Sequence, residues 1–239
     1  MPDLKAVLFD LDDTLFSTTA FAKRARLNAV QAMLAAGLDF PEEVVLRELG
    51  EVINEFSSNY SGHYDNLLHR LCPQGLGGVN PAIVVASGVV AYHNTKFLGL
   101  EPFEDVRGHL KWLREHGLRA GVITHGWTTK QAEKLVRLGL MEFLDPKAIF
   151  ISDQIGIAKP NPKLYSHVLR ELDLKPSEVI YVGDNPQHDI LPPQSLGICA
   201  IWASRGAKHA LDGVVPDYEI KNFGELEEIL TRDFGISAS

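Results

Sequence analysis

Lys5-Ala6-Val7-Leu8-Phe9 is a short apolar run that ends in Asp10-Leu11-Asp12-Asp13-Thr14, and the next convincing strand begins only at residue 118. A strand–helix–strand crossover takes about thirty residues in all, so the roughly one hundred residues in between hold more than a connection. The surplus restricts the chain to a sheet whose first strand is cut off from the others by an insertion. That insertion has its own helical period. Leu27, Val30 and Leu34 share one face of a helix predicted over 20–36. Val45, Leu49, Val52 and Phe56 recur at helical spacing behind Pro41, which suits a first helical turn. Leu67, Leu68 and Leu71 mark a third helix, and Pro81 opens a fourth that carries Ile83, Val84, Val89 and Val90. Tyr60, His63 and Tyr64 fall in a predicted loop between the second and third.

From about residue 101 the pattern changes. Helices predicted near 104–116, 128–138, 162–172, 190–196 and 223–230 alternate with short apolar strands at 118–123, 148–151, 178–182 and 197–201. Strands without alternating polarity, separated by amphipathic helices, indicate a parallel sheet covered on both faces. The fold class expected is therefore α/β, a Rossmann-like parallel sheet with helices on both faces plus an inserted all-helical domain. Residues 1–15 and 99–239 form the expected core domain and 16–98 the insertion.

Composition narrows the partners. The formal charge of −8 opposes nucleic acid and anionic membranes, both of which need a basic face. No apolar stretch reaches spanning length, and aspartates interrupt the N-terminal apolar run too early for a signal peptide. Cys72 and Cys199 show no C-x-x-C spacing, which fits a reducing, cytoplasmic setting. No feature of the sequence specifies an oligomeric state.

In open parallel sheets ligands bind beyond the carboxyl ends of the strands. Those ends supply Asp10 and Asp12, then Thr124-His125-Gly126, then Lys159, then Gly183-Asp184 and Asp189. Each alone has a plain explanation. Asp10 and Asp12 read as a solvated acidic turn, Thr124 as a cap hydroxyl, Lys159 as a surface charge beside Pro160, and Asp189 as a helix cap. Together they bring carboxylates, a hydroxyl and a lysine from four loops to one region. Like charges ~4 Å apart repel by about 4 kcal/mol at an effective dielectric of 20, so such a cluster calls for a cation or a shared proton.

Asp10-Leu11-Asp12-Asp13-Thr14, Thr124, Lys159-Pro160 and Gly183-Asp184-Asn185-Pro186-Gln187-His188-Asp189, in this order, resemble the motifs of the haloacid dehalogenase (HAD) superfamily of phosphohydrolases. The motifs span nearly the whole chain. The helical insertion after the first motif resembles the C1-type cap of subfamily I, and only about 35 residues separate Thr124 from Lys159, too few for the larger alternative cap.

The resemblance implies a Mg²⁺-dependent phosphatase of a small phosphorylated metabolite. Asp10 would attack phosphorus to form an aspartyl-phosphate, and Asp12 would protonate the leaving alcohol and then take a proton from water. Mg²⁺ would be held by the Asp10 carboxylate, the Asp12 carbonyl and Asp184, with Asp189 in support. Thr124, His125 and Lys159 would bind the phosphate. His125 stands where many relatives carry Asn. The aspartate at position 12 separates the chain from relatives that displace halide from carbon, because halide leaves without a proton. Two other readings share the motif set: a phosphomutase, and a regulatory protein phosphorylated on Asp10 without turnover. Lys23, Arg24 and Arg26 read as a solvated helix face or as contacts to an anionic substrate tail, with segments near Phe16 and 98–102 as expected hinges.

Overall fold

The computed structural model describes residues 3–56 and 60–236; residues 1–2, 57–59 and 237–239 of the expected domain spans lie outside the described residues. The chain divides into two compact units, one of Met1–Thr18 with Glu101–Ser239 and one of Thr19–Leu100.

After strand β1 (Ala6–Phe9), the helical unit is built from α1 (Thr18–Ala35), α2 (Glu42–Phe56), α3 (His63–Leu71) and α4 (Pro81–Gly99). Its core joins Val30 and Met33 of α1, Val45 and Leu49 of α2, Leu67 and Leu68 of α3, and Val84 of α4. Polar contacts add to this packing: Asn28 of α1 donates to the Thr95 hydroxyl of α4 at 2.8 Å. Asn80 caps α4 by accepting from the Ala82 amide, with Pro81 in the first turn, where its missing N–H costs nothing.

Three expectations need correction here. Phe56 is 42% exposed rather than buried with Val45, Leu49 and Val52, and stacks on Tyr60 with ring centroids 5.0 Å apart. On α4, Ile83 and Val90 are exposed and only Val84 of the expected set is buried. Apolar residues surround that helix, so its pattern alone could not select a face. His63 and Tyr64 begin α3 instead of lying in a loop, and Tyr64 packs against the helical core.

The other unit carries β1 with β2 (Arg119–Thr124), β3 (Ile149–Ile151), β4 (Val179–Gly183), β5 (Cys199–Ala203) and β6 (Tyr218–Ile220). These form one sheet in the order β3-β2-β1-β4-β5-β6, with every neighbouring pair parallel. β1 and β4 are buried at every position, which explains why their sequences show no alternation. The edge strand β6 was not expected. It has three residues, one of them the exposed Glu219, and so gives no apolar run to read.

Helices α5 (Val106–Glu115), α6 (Thr128–Arg137), α7 (Ser152–Ile155), α8 (Pro162–Leu172), α9 (Leu191–Gln194) and α10 (Phe223–Phe234) complete this unit. β1 shows how both faces are covered. Ala6 and Leu8 join a cluster with Leu164, Tyr165 and Val168 of α8. Phe9 meets His109 of α5 and Phe223 of α10 edge-on, with centroids 5.9 and 5.6 Å apart. Leu164 is fully buried in the α8 layer. Leu164→Ala should therefore cost about 2–5 kcal/mol of unfolding free energy, read as a lower urea midpoint at unchanged slope.

Candidate active site

β2 lies on one side of β1 and β4 on the other, so the chain reverses its direction of winding between β1 and β4. A parallel sheet opens a crevice at the carboxyl ends of strands at such a switch point. Asp10 follows β1 there, Asp184 follows β4, and Thr124 closes β2. The Asp10 amide still donates to the Val182 carbonyl at 2.8 Å, which ties the start of the loop after β1 to the ladder. Trp202 of β5 donates its indole N–H to the Asp184 carbonyl at 2.8 Å and holds the backbone that carries the second carboxylate from the other side.

Lys159 joins these ends. Its ammonium lies 2.6 Å from Asp10 Oδ1, 2.7 Å from Asp189 Oδ1 and 2.7 Å from the Tyr181 hydroxyl. Its side chain is only 2% exposed, so all three donors of the ammonium are used inside the protein. Tyr181 donates onward to the Ile123 carbonyl at 3.1 Å, and Asp189 Oδ2 accepts from the Asn185 amide at 3.0 Å. Gly183 permits this closeness: a Cβ there would sit 2.4 Å from Asp189 Cβ. The five-residue Pro186–Ile190 turn, with Asn185 capping it by accepting from the Gln187 and His188 amides, returns Asp189 to the strand end.

Carboxylate oxygens of Asp10, Asp184 and Asp189 all lie within 4.8 Å of one another. Burial pushes the Asp10 carboxyl up to about 7; Lys159 pulls it down while Asp189 and Asp12 push it up. Burial, with the charges of Asp10, Asp189 and Asp13, pushes Asp184 up to about 8. Burial opposes the Lys159 charge, but Asp10 and Asp189 outweigh it and hold the ammonium above its ordinary range. Asp10 and Asp184 are thus acids that resist ionising until another positive charge arrives, and their hard oxygens suit a divalent cation. The Thr124 hydroxyl is fully buried and has no hydrogen-bond partner within the protein. An orphaned donor at a strand end fits a ligand oxygen.

The remaining expected residues are placed as follows. Asp12 lies on the loop after β1, its carboxylate bound by Thr18, Gln131 and Lys134. The His125 side chain is exposed, with Nδ1 3.3 Å from Ser152 Oγ, and its carbonyl accepts from Gln131 at 2.9 Å. Asp13 adopts a left-handed backbone, φ 59°, and pairs with Lys208 at 2.5 Å. Tyr181, Gln131 and Lys134 were not expected at the site. Tyr181 was hidden in an apolar strand. Gln131 did leave a signal, since it occupies an inward-facing position of α6, one turn before the buried Leu135.

Asp10 and Asp184 bind protons more tightly in the folded chain than their ordinary value of 3.8 allows. Their contribution to stability is full below about pH 4 and is lost as pH rises through about 7 to 8. With divalent ions chelated, Asp184→Asn removes one such acid. Its melting temperature should gain on that of the wild type as pH is raised from 5 to 8; a constant or shrinking difference would contradict the shift.

The haloacid dehalogenase-like hydrolase family profile matches residues 7–203. A glyceraldehyde 3-phosphate phosphatase of Methanopyrus kandleri is 43% identical, over 95% of this chain and 97% of its own. Another of that name from Pyrococcus furiosus is 38% identical over 98% and 96%. A solved HAD phosphatase of Thermococcus onnurineus shares the fold, with a TM-score of 0.63 at 24% identity over 99% of this chain and 100% of that one. Motifs, sheet order and relatives agree: the chain belongs to the haloacid dehalogenase-like hydrolase family.

Proposed function

We propose that this chain is a Mg²⁺-dependent phosphatase of a small phosphorylated metabolite, with glyceraldehyde 3-phosphate as the first candidate. The observation that carries the reading is the buried Lys159 clamped between Asp10 and Asp189, with the unpartnered Thr124 hydroxyl at the neighbouring strand end. A phosphoryl group seated between them meets a cation, a donor and a carboxylate nucleophile. The relatives named as glyceraldehyde 3-phosphate phosphatases support this substrate class, since their identity to this chain runs along almost its whole length.

Asp10 attacks phosphorus as the bond to the leaving oxygen breaks, and Asp12 delivers a proton to that oxygen. Water then cleaves the aspartyl-phosphate, giving its proton to Asp12 and restoring Asp10. As Asp10 turns from Lys159 to phosphorus, the N–H that it releases passes to a phosphoryl oxygen, and Lys159 and Thr124 together hold the oxygens while charge spreads over them. Mg²⁺, held by Asp10, Asp184 and the Asp12 carbonyl, would supply the further positive charge that draws electron density from the phosphoryl oxygens. Asp189 orients Lys159 through the 2.7 Å contact. The helical unit serves as a cap that selects the substrate, with 98–102 and the segment near Phe16 as its hinges. Among the described residues no helix is long and apolar enough to cross a membrane.

The test is release of inorganic phosphate from glyceraldehyde 3-phosphate and a panel of other phosphorylated metabolites. Release should require Mg²⁺, stop with EDTA, and fall at least about a thousand-fold in Asp10→Asn without loss of the folded state. Transfer to a second sugar hydroxyl without release would indicate a phosphomutase, and a stable phosphorylated Asp10 would indicate the regulatory reading. Near-normal turnover in Asp10→Asn would remove the nucleophile assignment.

A further inference from the structure

Asp12 has to aim a proton at one oxygen, yet it sits on a loop with a carboxylate that can rotate. The structure shows what stops it. Lys134 of α6 places its ammonium 2.7 Å from both carboxylate oxygens. Thr18 donates to Oδ1 at 3.1 Å and Gln131 to Oδ2 at 3.3 Å. Each oxygen thus accepts two hydrogen bonds, the full capacity of the ionised group, and to carry the proton for the leaving oxygen Asp12 gives up one of the four while the others keep it in place.

The donors are themselves fixed. Gln131 is 5% exposed and its amide also donates to the His125 carbonyl at 2.9 Å. Gly126, at φ +136°, leaves room for it: a Cβ there would lie 2.5 Å from Gln131 Nε2. Lys134 is one helical turn after Gln131, with its ammonium 5.8 Å from the centre of the Phe16 ring and its side chain 19% exposed. Three donors from two segments therefore converge on one carboxylate, unlike an isolated surface ion pair, which contributes little.

We propose that Lys134 is a positioning residue for the acid–base step, holding the Asp12 carboxylate aimed at the leaving oxygen with Gln131 and Thr18 in support. The inference rests on the phosphatase reading and extends it to a residue outside the motif set. Displacement of a catalytic group by about 1 Å costs on the order of a hundred-fold in rate, so an unanchored Asp12 should protonate the leaving group poorly. The loss should appear only where the leaving group needs that proton.

The experiment compares kcat/KM, which reports the steps through leaving-group departure, for glyceraldehyde 3-phosphate and p-nitrophenyl phosphate. The first leaves as an alkoxide that needs an acid; the second leaves as a stabilised phenolate that does not. Lys134→Met keeps the aliphatic stem beside Phe16 and removes the charge. It should lose about 10- to 100-fold with the alkyl ester and under about threefold with the aryl ester, at a melting temperature near the wild type. Lys134→Arg, which restores donors and charge, should recover much of the alkyl-ester rate. Equal losses for the two esters, no loss with the alkyl ester, or an arginine variant no better than methionine would overturn the inference. A wild-type chain that hydrolyses neither ester with Mg²⁺ would overturn the phosphatase reading itself.

Discussion

A single buried ammonium holds the candidate site together. Lys159 is out of water, and a lone charge in that position would be prohibitive. It is tolerated because Asp10, Asp189 and Tyr181 use all three of its donors. Removing one partner of such a cluster leaves an uncompensated charge, worth about 3–5 kcal/mol. The dependence runs both ways. Asp10 is pushed toward protonation by burial and by Asp189 and Asp12, Asp184 by burial and by Asp10, Asp189 and Asp13, and Lys159 is the nearby cation that moderates both. A site with more carboxylates than cations is ready for a further positive charge and for a substrate whose oxygens must be gathered around it.

Backbone topology places this cluster. Because the sheet order reverses at β1, the loops after β1 and β4 open beside one another, and β2 brings Thr124 alongside. Gly183 lets Asp189 return against the end of β4, and the indole of Trp202 holds the Asp184 carbonyl. The same faces that bury Leu8 and Phe9 keep the strand ends in register. The core on α8 is therefore also a support for the chemistry. A strand shifted by one residue would turn Asp10 away from Lys159.

Much of this was legible beforehand. The parallel sheet followed from apolar strands without alternation, and the insertion from an overlong first connection. Asp10, Thr124, Lys159, Asp184 and Asp189 could be named because each sits at or near a strand end in the order of a known motif set. The misreadings have physical causes. β6 is too short and polar to register, and α4 is apolar around its circumference. Phe56 is exposed at the end of a helix whose earlier turns are buried.

The linear order of residues by itself determined the class of fold, a property of local periodicity, and through the resemblance to a known motif set it pointed to the carboxylates, hydroxyl and lysine that are proposed for the chemistry. Only the tertiary structure decided which group touches which: that Lys159 pairs with Asp10 and Asp189, that Tyr181 reaches it from inside a strand, and that Lys134, over a hundred residues from Asp12, holds both its oxygens. Such contacts depend on side chains from distant segments meeting across the end of a sheet, and no periodicity in the sequence records the distance between them.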